Sequence, residues 1–162
     1  MLIKFFILLY LISTSTIFAH DKKKKTIKAH EHGVGILNIV QDGNTLLLEY
    51  EMPGFDIEGF EYKAEKDDDI KKVNAAINIS SDYKNMIKPS GSAECEKIDS
   101  SAKVIYEGKH SEFISEYKFN CKKISQLKII YIKHFQKFEF SKKLNVKIIG
   151  SNKKTAYVIE RS

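Results

Sequence analysis

Histidine is the residue type in this sequence best suited to binding a metal ion, and two of the five histidines are separated by a single residue. His30 and His32 flank Glu31 where an apolar, β-branched segment begins. Because side chains alternate between the faces of a strand, both imidazoles would point to the same face, about 6–7 Å apart. Two imidazoles so placed can share one tetrahedral zinc ion, whose nitrogen ligands lie at about 2.0–2.1 Å. The spacing therefore predicts a metal-binding position at the start of this strand.

A second pair of polar residues repeats this spacing further along the chain. His110 and Glu112 are two residues apart and precede a segment whose apolar side chains have the opposite parity. They are therefore expected on a solvated face, where they could contribute to a site. The alternative is that both are ordinary exposed residues at the beginning of a strand.

The evidence for metal binding is weaker for the remaining two histidines. His134 adjoins Phe135 in an apolar region, which is typical of a packed histidine that is not a ligand. His20 is a possible metal ligand, because cleavage after Ala19 would place its imidazole beside a free α-amine.

The motifs of common enzymes are missing from the sequence. It contains no GxSxG, no glycine-rich phosphate loop and no HExxH. The run Asp67-Asp68-Asp69 lacks the glycine and distal glutamate of a calcium loop, and it favours a helix N-terminus instead. A zinc hydrolase would need a base beside its metal, yet Glu31 would point away from its neighbouring histidines. We therefore expect a protein that is not an enzyme.

The first nineteen residues have the features of a signal peptide. Lys4 supplies a short positive region, residues 5–12 are apolar, and Ala19 suits a signal peptidase. The alternative is a membrane anchor, but the apolar run is far shorter than the ~20 residues that span a bilayer. We predict a signal peptide over residues 1–19, export of the chain, and no membrane span in the mature protein.

Residues 20–29 contain five lysines and little apolar surface, which predicts a flexible, solvated arm. The chain carries a formal net charge of +6, but Arg161 is its only arginine. Lysine lacks the planar fork that recognises phosphate in pairs of hydrogen bonds. The composition therefore argues against nucleic acid as a partner, and residues 30–162 are left as one domain.

The two cysteines, Cys95 and Cys121, are an even number in a chain expected to reach an oxidising compartment. A disulfide between them is the expected state. The alternative is a thiol nucleophile, which neither a CxxC spacing nor a neighbouring histidine supports.

Hydrophobic periodicity predicts an α+β, β-rich fold. Residues 34–40 and 46–52 form a hairpin around Asp42-Gly43, and further strands are expected at 103–107, 111–121, 127–132, 144–149 and 155–160. Residues 67–79 form the one main amphipathic helix, a short helical turn is plausible at 133–138, and residues 80–93 are expected to be irregular. We predict a single antiparallel sheet or sandwich of about seven strands.

Several segments, in chain order, carry a family resemblance. They read AHEHGVGILNIV at 29–40, MPG at 52–54, GFEY at 59–62, HSEF at 110–113 and YKFNC at 117–121, with Cys95 and residues 135–138 and 146–150 also fitting. Together they resemble the ZrgA-type family of bacterial periplasmic proteins associated with zinc uptake.

The resemblance implies zinc binding in the periplasm and assistance to an ABC importer. The partners would be the zinc ion and either a periplasmic zinc-binding protein or a component of the importer. The implied metal ligands are His30, His32 and His110, with Glu112 or water completing the set. Zn²⁺ is the expected ion, and Cu²⁺ would compete for the same ligands.

The sequence departs from this family at its histidine-rich segments. The tract after the signal peptide is reduced to His20 followed by lysines, the tract before the YKFNC strand is reduced to His110, and Tyr62 stands where a histidine is usual. The implied zinc capacity is at most one ordered site.

A metal-independent role is the alternative function. The lysine-rich arm could dock an exported β-rich domain onto an acidic partner or an anionic membrane surface. Binding that is lost at high salt and indifferent to a chelator would favour it.

Overall fold

The structure is a computed structural model that describes residues 31–151 and 153–162. The predicted signal peptide, the lysine-rich arm, His20 and His30 lie outside the described residues. The strands are β1 Val34–Asp42, β2 Thr45–Pro53, β3 Ile87–Pro89, β4 Cys95–Glu107, β5 His110–Cys121, β6 Ile130–Ile132, β7 Lys143–Ile149 and β8 Lys154–Glu160, and the helices are α1 Gly54–Glu58, α2 Asp67–Ser81 and α3 Tyr83–Met86. Short 3₁₀ turns cover Gly91–Ala93, Ile124–Gln126 and His134–Gln136.

Six of these strands form one sheet in the order β4-β5-β2-β1-β7-β8, and β3 pairs with β6 in a small second sheet. The described residues thus confirm the α+β, β-rich class. The sheet is mixed, however, because β1 and β7 run parallel while the other pairs are antiparallel. The expectation of a purely antiparallel sheet was wrong at this one pairing, which joins segments about a hundred residues apart.

One face of the large sheet forms the hydrophobic core. Alternate residues of β2 and β5 are buried on it, including Tyr50, Met52, Phe113, Tyr117 and Phe119. The predicted aromatic face of β5 is therefore confirmed as core.

Helix α2 packs on the sheet with Val73 and Ala76 buried, and Asp67, Asp68 and Asp69 occupy its first turn. Negative charge there complements the positive end of the helix dipole. The helix predicted from this pattern is confirmed.

The disulfide joins Cys95 to Cys121, which are paired across β4 and β5. Cys121 is fully buried in the core cluster, so the cross-link ties the edge strand β4 to the centre of the fold. The expected pairing is confirmed.

Residues 80–93 are more ordered than their polar sequence predicts. Met86 and Ile87 are fully buried, and Ile87 pairs with Ile132 in the small sheet. Two apolar residues are too few to show periodicity, so their burial depends on partners distant in sequence. Strand β4 also begins eight residues earlier than predicted, because pairing with β5 extends its polar half.

His134 is fully buried, as its apolar surroundings suggest. Its Nε2 lies 3.2 Å from Ser141 Oγ, and its ring contacts those of Tyr50 and Phe135. Burial, with a smaller contribution from the positive charge of Arg161, lowers the pKa of His134 from 6.5 to about 3. The imidazole therefore stays neutral in the folded protein.

This buried imidazole predicts loss of stability in acid. The pKa of His134 is lower in the folded chain than in the unfolded chain. Its contribution to the free energy of unfolding is therefore complete above about pH 6.5 and is lost as the pH falls toward 3. We expect about 3 kcal/mol of unfolding free energy to be lost between pH 7 and pH 4 from this group. Urea denaturation across this range measures the loss.

Glu58 titrates in the opposite sense, so the measurement is best made in a Glu58→Gln variant. Burial, aided by Asp69, raises the pKa of Glu58 to about 7. NMR of the ring nitrogens identifies the source directly. A His134 ring that becomes protonated near pH 6 in the folded protein would contradict the prediction.

None of the helices in the described part of the chain has the length and apolar character that crossing a bilayer requires.

Candidate functional site

Two of the predicted site histidines meet at a carboxylate. His32 Nε2 lies 3.2 Å from one oxygen of Glu61, and His110 Nδ1 lies 2.8 Å from the other. We call His32, Glu61 and His110 the His–Glu–His cluster. It brings together three residues that are 29 and 49 positions apart in the sequence.

Helix α1 positions the first histidine by two contacts. The Phe55 ring stacks on the His32 imidazole, with centroids 4.9 Å apart and planes inclined by 11°. The next residue, Asp56, is fully buried and accepts a hydrogen bond of 2.6 Å from the backbone N–H of Gly33. The turn that carries His32 is therefore held to one helix through both a side chain and the backbone.

The same turn is also joined to the start of β7. The Gly33 carbonyl accepts hydrogen bonds from the backbone N–H groups of Lys142 and Lys143. Gly33 has a φ of +86°, a backbone conformation that residues other than glycine rarely adopt. A glycine directly after the histidine thus allows the turn into β1.

Glu61 is positioned by the chain that leaves α1. Gly59 ends the helix in the left-handed conformation, and its N–H bonds to the Phe55 carbonyl. On either side of Glu61, the rings of Phe60 and Tyr62 stack with centroids 4.6 Å apart. The Tyr62 hydroxyl then donates a 2.9 Å hydrogen bond to Asp69 at the start of α2.

Tyr62 is therefore a positioning residue here. A tyrosine phenol is already protonated at neutral pH, and the hydrogen bond to Asp69 raises its pKa further. A protonated phenol is a poor metal ligand, whereas the neighbouring carboxylate faces the two imidazoles.

His110 is the first residue of β5 and follows a tight turn from β4. It is paired with Glu107, and Gly108 in the turn has a φ of +62°. This hairpin projects His110 toward the loop that carries Glu61. The location of His110 at a strand start is as predicted from the sequence.

The cluster combines a shielded carboxylate with two accessible imidazoles. The Glu61 side chain is 9% exposed, whereas those of His32 and His110 are 52% and 60% exposed. Imidazole nitrogen and carboxylate oxygen are both zinc ligands. A carboxylate that contacts ring N–H groups can also orient the histidines around a metal.

The cluster is not a ready-made coordination shell. Among the described residues, no group of three or more His, Cys, Asp or Glu side chains is arranged to hold a metal ion. The carboxylate instead lies between the two imidazoles and contacts both. Binding an ion here would require the exposed rings to turn about the fixed carboxylate.

The structure brings together only some of the ligands predicted from the sequence. His32 and His110 are brought together, whereas His30 and His20 lie outside the described residues. Glu112 shares the His110 face of β5 but is buried, with 7% exposure, and is paired with Pro53 and Ile105 on the adjoining strands.

Sequence reasoning missed Glu61 as a member of the site. Glu61 lies in a loop, and nothing in its local spacing relates it to a histidine. The one available signal was its place in the GFEY segment that carries the family resemblance.

Comparison with models of protein families identifies the family of this chain. The family model described as ZrgA family zinc uptake protein matches residues 29–162. The chain belongs to this family. A search of curated proteins gives no match.

Membership of the ZrgA family associates the chain with zinc uptake. The matched region contains the whole His–Glu–His cluster and also His30. A ZrgA family member with two accessible imidazoles on one carboxylate has a donor set suited to the ion that the family name specifies.

Proposed function

We propose that this protein binds zinc in the periplasm and assists its uptake through an ABC importer, without itself being an enzyme. The observation that carries the proposal is the meeting of His32 and His110 at Glu61 in a member of a zinc uptake family. The predicted signal peptide supports a periplasmic location.

In the proposed site, His32, His110 and Glu61 supply two nitrogens and one oxygen to Zn²⁺. His30, Glu112 or water completes the four ligands. His30 is two positions before His32, and Glu112 is two positions after His110 on the same strand face. Cu²⁺ would bind the same donors by intrinsic affinity, so selection between the ions depends on their supply.

Protons compete with zinc for the imidazole nitrogens of this site. A ring nitrogen binds the metal only through an unprotonated lone pair, so affinity falls as the pH drops. The exposed positions of both rings allow the ion to enter and leave without opening the core. Such a site suits transfer of zinc to a partner, either a periplasmic zinc-binding protein or an importer component.

The uptake role is tested in cells that lack this gene and grow in zinc-depleted medium. We expect the wild-type gene to restore accumulation of radioactive zinc and the His32→Ala/His110→Ala variant to fail. Osmotic-shock fractions show whether both proteins reach the periplasm in equal amounts. Full restoration by the double variant would contradict the proposal.

A further inference from the structure

The two edges of the large sheet differ in how they are protected against further pairing. Edge strand β4 carries a β-bulge between Lys97 and Asp99 and is rich in exposed charged residues. Bulges and charges are common ways in which an edge avoids pairing with another chain. Strand β4 therefore has the features of an edge that is protected against pairing with another chain.

Strand β8, at the opposite edge, has no bulge, and its two charged residues, Lys154 and Glu160, lie at its ends. It pairs with β7 in unbroken register over seven residues and contains no proline. At its centre, Tyr157 is 55% exposed and Val158 is 60% exposed. Within the described part of the chain, its free side is regular and has an apolar centre.

The hydrogen bonds at the ends of the β7–β8 ladder show which backbone groups face outward. The Arg161 N–H donates to the Lys142 carbonyl, and the Gly150 N–H donates to the Lys153 carbonyl. Residues of odd number in β8 therefore direct their backbone groups toward β7, because this direction alternates along a strand. Lys154, Ala156, Val158 and Glu160 direct theirs outward.

We propose that β8 pairs antiparallel with β8 of a second copy of this chain, about a two-fold axis at Tyr157. This register places Lys154 opposite Glu160 of the second copy, and Ala156 opposite Val158. All four outward-facing residues then form hydrogen-bonded pairs, and the two Tyr157 residues face one another at the axis.

Charge complementarity favours this register over its neighbours. A shift by two residues in either direction keeps the outward groups paired but places Lys154 opposite Val158 or beyond the end of β8. Only the register centred on Tyr157 joins both oppositely charged ends of the strand. Opposite charges directly across a pair of strands stabilise it, and like charges destabilise it.

The surface beside the strand is suited to being covered. On the core side of β8, a groove of about 410 Å³ is lined mainly by apolar side chains, including Ile129, Ile130, Tyr157 and Ile159. Ile129 and Tyr157 are each about half exposed. A second copy continuing the sheet would shield this apolar surface from water.

The test is sedimentation velocity on protein purified from cells expressing the full chain, in the presence of a metal chelator. The chelator removes dimers bridged by metal ions, so the result is independent of the proposed zinc site. We expect a monomer–dimer equilibrium that shifts with protein concentration. A protein that stays monomeric up to the millimolar range would overturn the proposal.

Two kinds of variant locate the interface. Val158→Pro removes an outward N–H and leaves the β7 ladder intact, so it should abolish the dimer without unfolding the chain. Tyr131→Lys is the control, because Tyr131 is similarly exposed but lies in β6. A dimer that survives Val158→Pro, or that is lost in Tyr131→Lys, would contradict pairing through β8.

Charge reversal tests the register. Lys154→Glu should raise the dimer dissociation constant about fivefold or more, because it places two carboxylates opposite one another at each end. Adding Glu160→Lys should restore dimerisation, although Glu160 also lies 3.9 Å from Lys143 of β7. A double variant no better than Lys154→Glu would reject this register.

Discussion

Replacing Glu61 with glutamine is expected to lower zinc affinity about 10- to 100-fold, which corresponds to about 1.4–2.7 kcal/mol of binding free energy. The amide keeps the shape of the side chain but loses its negative charge. It can then offer only a neutral oxygen to the ion, and it no longer balances the charge of the ion. Competition with a fluorescent zinc indicator measures the change.

Glu116→Gln is the matched control for this experiment. Glu116 lies on β5 like His110, but it is exposed and lies six residues further along the strand. Its replacement should leave zinc affinity within about twofold, since a distant exposed charge is well screened. Equal affinities for Glu61→Gln and the wild type would exclude Glu61 from the site.

Replacing Asp56 with alanine is expected to cost about 2–4 kcal/mol of unfolding free energy. The change removes a buried carboxylate and leaves the Gly33 N–H without its present acceptor. Because Gly33 directly follows His32, the variant should also bind zinc more weakly under conditions where it remains folded. Urea denaturation gives the stability, and the indicator assay gives the affinity.

Asp67→Ala is the control for Asp56. Asp67 is exposed in the first turn of α2, where its charge complements the helix dipole and its loss costs a few tenths of a kcal/mol. If Asp56→Ala is no more destabilising than this control, the hydrogen bond from the Gly33 N–H to Asp56 does not stabilise the fold, and the prediction is wrong.

Local patterns in the sequence predicted local structure well. The β1–β2 hairpin followed from Asp42-Gly43 between alternating apolar residues, and α2 followed from three aspartates before a helical apolar stripe. In both cases the residues that determine the structure are close together in the chain, so periodicity is sufficient.

Pairing between distant segments was not predictable in the same way. The alternation in β7 indicates a strand but contains nothing about its direction relative to β1. Met86 and Ile87 are buried by partners that lie elsewhere in the chain. These features depend on tertiary packing, which no single window of sequence records.

The candidate site shows the same division. The sequence indicated His32 and His110 as candidate ligands, although His32 lies in the turn before β1 and not on the strand as the spacing predicted. Their common partner Glu61 was not indicated, because its position depends on helix α1, on the left-handed Gly59 and on the hydrogen bond from Tyr62 to α2. A carboxylate in a loop has no periodicity that would relate it to two histidines on other elements.

The central claim is that His32 and His110 form one zinc site around Glu61. Calorimetric titration of the purified protein with Zn²⁺, beside the His32→Ala/His110→Ala variant, tests it most directly. We predict sub-micromolar binding of one ion per chain, with release of protons to the buffer, and at least a hundredfold loss in the double variant. Unchanged affinity and stoichiometry in the variant, or no binding by the wild type, would contradict the claim.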